Sequence, residues 1–243
     1  MLIWKKIMTA ILKKELGSFF NSAVGYVVMG IYYFFSGLFF YVYCLSSNSK
    51  DVTTVFSSMF IITVLVIPII TMKSLSEEKK QKTDQALLTS PLGLGEIVVG
   101  KFLGSLIMFL CCMGIYILFA LSLCFYEGGS PEWSVFLGNL VGTILLGASL
   151  IAINVFISSI TESMIISAII GMCAGLLIFF LDSIASLVSI DWISSVISSI
   201  SFVAHYQNYT TGIFSVADTV FFLSIIVLFN FLTLRVLEKR RWS

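Results

Sequence analysis

The chain has 243 residues, of which 58% are hydrophobic and 11% charged, and its formal net charge is +1. Soluble domains carry about 25% charged residues, so a water-soluble globular protein is excluded, and the near-zero balance implies no nucleic acid or other bulk polyanion as a partner. No Asp, Glu, Lys or Arg occurs in 16–49, 52–72, 102–126, 133–161, 163–181, 192–217 or 219–234, and a spanning helix needs about 20 apolar residues. The fold class is therefore an all-α polytopic membrane protein filling 1–243, with no room for a separate soluble domain.

In chain order, residues 2–17 read as an amphipathic interfacial helix. Ile3, Ile7 and Ile11 recur every four residues, with Trp4, Met8 and Leu12 beside them and lysines on the other face, the pattern of a helix lying in a membrane surface. Lys5, Lys6, Lys13, Lys14 and Glu15 interrupt any secretory-signal core. Six spans follow, at about 24–46, 53–74, 98–125, 133–159, 164–181 and 216–236. The second contains Pro68, which removes one helical hydrogen bond. The most polar stretch of the chain, 73–96, separates spans 2 and 3. Spans 4 and 5 are joined by the short turn Ser158 to Ser163. The connector 183–215 mixes serines with Ile184, Leu187, Val188, Ile193, Val196, Ile197 and Ile200. It is too polar for a seventh span, so 184–204 reads as a re-entrant element between spans 5 and 6.

Orientation follows from the basic residues. Thirteen of the fourteen lie in the N-terminal helix, in 73–101 or in the C-terminal tail, and only Lys50 lies on the other side. With six spans these zones share one face, which is expected to be cytoplasmic, with both termini on it. A seventh span would put the basic C-terminus outside.

Several motifs carry little chemistry. Gly95 to Lys101 nearly fits a phosphate-binding loop, but Phe102 replaces the hydroxyl that holds magnesium, and Ile97-Val98-Val99 suits a helix better than a loop. Any ATP used by this protein is expected in another chain. Gly100/Gly104, Gly138/Gly142 and Gly171/Gly175 are small pairs that let helices approach. The five cysteines form no Cys-x-x-Cys pattern, and Cys44 and Cys124 fall near outer helix ends, where a disulfide is one alternative. His205 has no nucleophile beside it and reads as a hydrogen-bonding group of the connector. Asp182 and Asp218 sit at span ends, and no Lys or Arg is expected mid-membrane, which argues against an ion-coupled carrier. Asn139, Asn154 and Asn230 read as ties between helices. No catalytic pair or metal set emerges, which ranks an intramembrane enzyme last.

The informative segment is 73–96. Glu77, Glu78, Lys79, Lys80, Lys82 and Asp84 place mixed charges at helical spacing, and Ala86, Leu87, Leu88 and Pro91 return the chain to the membrane. A charged helix held between two spans suits force transmission from a soluble partner.

At these residues the chain resembles the membrane subunit of type-2 ABC transporters of the gliding-motility and copper-maturation permease kind. The resemblance lies in Thr71-Met72-Lys73, Glu77-Glu78-Lys79-Lys80, Leu87-Leu88-Thr89-Ser90-Pro91 and Glu96-Ile97-Val98-Val99-Gly100-Lys101-Phe102-Leu103. Lys14-Glu15-Leu16, Ser158 to Glu162 and Leu237 to Trp242 fit in the same order. One departure is Lys82-Thr83, where that family commonly has Gly-Thr. The resemblance implies a single type-2 transmembrane domain in a bacterial cytoplasmic membrane. A second permease subunit, alike or different, and two cytoplasmic ATPase subunits holding ATP and magnesium would complete the transporter, while this chain binds no cofactor or metal itself. It further implies that Glu77, Glu78, Lys79, Lys80, Lys82, Thr83 and Asp84 contact the ATPase, with the N-terminal helix alongside. Ser158, Thr161 and Glu162 would form a smaller second contact. An ATP-independent membrane channel or scaffold fits the six spans equally and is the alternative.

Overall fold

The structure is a computed structural model and describes residues 2–47, 49, 51–83, 93–125, 132–187, 192 and 199–242, with their side chains from residue 11 onward except at 182, 185–187 and 242. The chain forms α1 (Leu2–Phe20), α2 (Ala23–Phe40, continued by a π turn Tyr41–Leu45), α3 (Thr53–Thr71), α4 (Ser76–Lys80) and α5 (Leu94–Met113). Beyond these lie α6 (Ile115–Phe125), α7 (Trp133–Ile160), α8 (Met164–Leu187), α9 (Phe202–Thr210) and α10 (Val216–Trp242). In lipid every backbone N–H and C=O must be satisfied within the segment, which is why the uncharged runs are helices.

Six helical stretches are long and apolar enough to cross a membrane: Ala23–Leu45, Thr53–Lys80, Leu94–Phe125, Trp133–Ile160, Met164–Leu181 and Val216–Arg241. They match the six expected spans. The ends differ in one consistent way. α5 begins at Leu94 rather than 98, α8 runs on to Leu187 and α10 to Trp242. Charge marks where a helix leaves the apolar layer, not where its hydrogen bonding stops.

α3 and α7 form the centre. The apolar window of α7 is 67% buried, against 22% for α8 and 17% for α10. Tyr32, Phe56, Phe109 and Tyr116 pack in the core. Phe56 stacks on Tyr116 with centroids 4.3 Å apart, and Tyr32 meets both Phe109 and Tyr116 edge-on. The Tyr32 and Tyr116 hydroxyls lie 3.3 Å apart, so each polar tip has a partner in the apolar interior.

The three small-residue pairs all serve packing inside this chain. A Cβ on Gly171 would lie 2.0 Å from Asn154 Oδ1 and 3.1 Å from Pro68. One on Gly175 would lie 2.7 Å from Val64. Span 5 thus lies on the face of α3 where Pro68 leaves the Val64 carbonyl without its helical N–H. Gly138 and Gly142 take Tyr209, and Gly100 and Gly104 take Ile11 and Glu15 of α1. At the corner between α1 and α2, Ser22 Oγ accepts from Val24 N–H at 3.3 Å. A side chain at Gly25 would meet the Phe19 carbonyl at 2.3 Å.

The described part of the connector is folded into the protein. Asn139 Nδ2 donates to Thr210 O at 3.3 Å, and the Thr143 and Tyr206 hydroxyls pair at 3.1 Å. His205 Nδ1 lies 2.6 Å from Asp218 Oδ1, and Asn208 donates to Asp218 Oδ2 at 2.7 Å. His205 therefore does bond the connector, tying it to the start of α10. Within the segment read as re-entrant, 188–191 and 193–198 lie outside the described residues, as does Lys50. All five cysteines are free, with Cys44 buried and Cys124 exposed. Asn139 ties two helices, whereas Asn154 and Asn230 donate within their own helices, to Leu150 and Ile226.

Overpacking a tight site costs about 1–3 kcal/mol. Gly171→Leu should therefore lower the thermal midpoint of the detergent-solubilised protein by several degrees, read from tryptophan fluorescence. Gly30→Ala, at a helical position with no neighbour within 4 Å, should raise stability by about 0.5–1 kcal/mol.

Candidate functional site

The polar segment between α3 and α5 forms one short helix, α4, of five residues. Helices shorter than about 12 residues are marginal by themselves, so α4 must be completed from outside. Its N-cap residue, Leu75, offers no capping side chain. The cap comes instead from the end of α7. Ser158 Oγ accepts from the N–H groups of both Leu75 and Ser76, each at 3.1 Å. In return the Lys79 ammonium donates to the Ser159 carbonyl, in the last turn of α7, where carbonyls lack helical partners. The two helix ends cap each other.

The other end of α4 closes on itself. Lys82 N–H donates to Lys79 O and Thr83 N–H to Glu78 O, both at 3.0 Å, and Lys82 has φ 56°. These are the two bonds of a Schellman ending, which places its penultimate residue in the left-handed region. A lysine there costs about 1–2 kcal/mol that glycine would not. This is the position where the sequence departs from the Gly-Thr pattern. Glu77 and Glu78 in the first turn and Lys79 and Lys80 in the last also match the helix dipole.

Beneath α4 lies a buried ion cluster. Lys101, on α5, is 1% exposed. Its Nζ is 2.8 Å from Glu15 Oε1 and 3.0 Å from Glu78 Oε2, and it also donates to Ser74 O. The ammonium thus makes two hydrogen bonds, to Glu15 and Ser74, and an ion pair with Glu78. Glu78 Oε1 accepts from Lys14 Nζ at 2.9 Å, so two cations face two carboxylates and the cluster is neutral. α1 approaches α5 closely enough only because Gly100 and Gly104 carry no side chains: an added Cβ would meet Ile11 at 2.7 Å and Glu15 at 2.8 Å. Burial works against the charged form of Lys14. The Glu78 hydrogen bond and the charges of Glu78, Glu15 and Glu77 outweigh it and hold the Lys14 pKa above its ordinary 10.5. The stabilisation from Lys14 is therefore complete below pH 10.5 and is lost only as pH rises through the higher folded value.

Two further contacts complete this face. Lys73 Nζ donates to Ser22 Oγ at 3.2 Å, and Arg240 lies 3.5 Å from Glu162 Oε1. α1, the 73–83 segment, the 158–163 turn and the C-terminal end of α10 thus share one basic face.

The residues singled out from sequence sort into two groups. Lys80, Lys82, Thr83 and Glu162 are exposed, with Glu77 and Thr161 half-buried. Glu78, Lys79 and Ser158 are turned into the chain, at 9%, 9% and 0% exposure. Asp84 lies outside the described residues. Sequence reasoning missed Lys101, Glu15 and Lys14. Lys101 stands near the basic-face end of the third span and is fully buried. The signal available was a cation flanked by Gly100 and Gly104 in an otherwise uncharged run. The near phosphate loop at 95–101 is part of α5, and its lysine is engaged with Glu15 and Glu78.

Removing an acceptor shared by two buried N–H groups costs about 1–3 kcal/mol. Ser158→Ala should accelerate hydrogen exchange across 75–80 by roughly tenfold or more without altering the six spans. Lys82→Gly should slow exchange at the same helix and Lys82→Val should speed it, because only glycine adopts this backbone without strain.

No curated protein matches the chain. A family model described as ABC-2 family transporter protein matches residues 9–242, which takes in the N-terminal helix from residue 9 on, α4, its cap on α7 and the whole of α10. The six spans and this match over nearly the whole length agree: the chain belongs to the ABC-2 transporter family and is a membrane permease subunit of an ABC transporter.

Proposed function

We propose that the chain is the permease subunit of an ATP-driven exporter of the gliding-motility and copper-maturation kind. In this reading two copies of a cytoplasmic ATPase subunit, holding ATP and magnesium, drive it, and a second permease subunit, alike or different, completes the path. The observation that carries the reading is the sorting of α4. One side is locked by Ser158, Lys101 and Lys14, and the other offers Lys80, Gln81, Lys82 and Thr83 to solvent. A capped polar helix slung between two spans, gripped on its inner side and open on its outer side, has the form of a force-bearing contact. A channel or scaffold has no need of one.

Docking falls to the outward residues Glu77, Lys80, Lys82 and Thr83, with Glu162 and Thr161 on the neighbouring turn. The inward ones, Glu78, Lys79 and Ser158, receive the motion and pass it on. The concentration of basic residues supports reading this as the cytoplasmic face, with both termini on it, and the membrane proposed is a bacterial inner membrane.

Placing like charges opposite each other at an interface costs several kcal/mol. The triple variant Glu77→Lys, Lys80→Glu, Lys82→Glu should therefore lose co-purification with the ATPase and drop ATP turnover of the complex by about tenfold or more, with an unchanged thermal midpoint. Unchanged assembly and turnover would sink the assignment of α4 as the ATPase contact.

A further inference from the structure

Lys101 carried a motif that the transporter reading does not use, and its surroundings show what it does instead. Its partners come from three separate places: it donates to Glu15 on α1, 86 residues away in sequence, and to Ser74 in the turn after α3, 27 residues away, and it pairs ionically with Glu78 on α4. We infer that Lys101 is a positioning residue that joins the N-terminal helix, α4 and the third span into one moving body. A push on α4 then reaches span 3 through this ammonium and not only along the chain. The inference rests on the reading of α4 as the ATPase contact and adds the route by which the motion leaves it.

Three features support the inference. First, the buried ammonium is held by two hydrogen bonds and an ion pair, one from each of three elements. A shift of any one of the three elements by much more than an ångström would strip a bond from a buried charge, the costliest kind of loss in a protein interior. Second, Ile11 and Glu15 of α1 sit over Gly100 and Gly104 of α5, one turn apart on each helix, with Lys101 on the same stretch. A helix seated on bare backbone has little room to slide. Third, the grip of α4 on α7 is of a different kind. It consists of a hydroxyl that accepts from two backbone N–H groups and a lysine on a carbonyl, contacts to the last turn of α7 that do not pass through Lys101.

The test is hydrogen exchange on the full chain in lipid nanodiscs, alone and in complex with its ATPase. In the chain alone, Lys101→Met should speed exchange in 11–20, 74–83 and 94–104 together, by on the order of tenfold, and leave 133–157 unchanged. Lys101→Arg, which keeps the charge, should show a smaller rise. Glu15→Gln, a milder change, should also loosen 74–83, a segment it reaches through Lys101. In the complex, the difference between ATP-trapped and nucleotide-free states at 94–104 should vanish in Lys101→Met, return in Lys101→Arg, and do so with the ATPase still bound. Loosening confined to 94–104, or a nucleotide response that survives Lys101→Met, overturns the inference. If the unaltered chain binds no ATPase, the proposed function fails, and exchange in the chain alone still decides whether Lys101 joins the three elements.

Discussion

An ammonium ion cannot be left bare inside a protein, and the whole basic face of this permease is arranged around that constraint. Lys101 is sealed from water and needs compensation for its charge. It is supplied by hydrogen bonds to α1 and to the turn after α3 and by an ion pair with α4. The consequence runs outward. Glu78 is fixed by Lys101 and Lys14, so α4 has one orientation about its axis, which in turn decides that Lys80 and Lys82 look out. Replacing a buried ion cluster with apolar residues of equal volume often costs little stability. What the ions supply is definition: one register among three elements.

Close approach is the second requirement, and glycine meets it repeatedly. Gly100 and Gly104 admit α1, Gly138 and Gly142 admit the connector helix, and Gly171 and Gly175 admit span 5 onto Pro68 and Val64. Between apolar helices in lipid there is no hydrophobic driving force, so contact area and hydrogen bonds must do the work. Buried hydroxyls and amides such as Thr143, Tyr206 and Asn139 add the bonds. The outermost helices, α8 and α10, keep rows of exposed Ile, Val, Leu and Phe, as surfaces facing lipid or another subunit do.

Much of this was legible in the sequence because a membrane imposes coarse rules. Uncharged runs located the six spans found among the described residues. Helix ends were not legible to the residue, since charged residues at α5, α8 and α10 continue the helix beyond the apolar layer. At the candidate site, the polar segment could be found, but not its sorting. Glu78 and Lys79 look like their neighbours Glu77 and Lys80 in a string of letters. Only the positions of Lys101 and Ser159, far along the chain, turn one pair inward. Lys82 was noticed as a departure from a glycine, and the structure supplies its meaning as a left-handed helix ending. Lys101 was read for what it might bind, not for what it must be bound by.

The trans cap on α4 has a consequence for how the protein is made. The hydroxyl that completes this helix lies 82 residues downstream of Ser76, at the far end of the fourth span. A nascent chain emerging from the ribosome holds the α4 sequence long before it holds Ser158. The segment leaves the translation machinery as an unfinished turn and becomes a helix only once α7 has inserted and returned to the basic face. Assembly order thus acts as a safeguard: the polar helix on this face is completed only after the fourth span, which caps it, is in place.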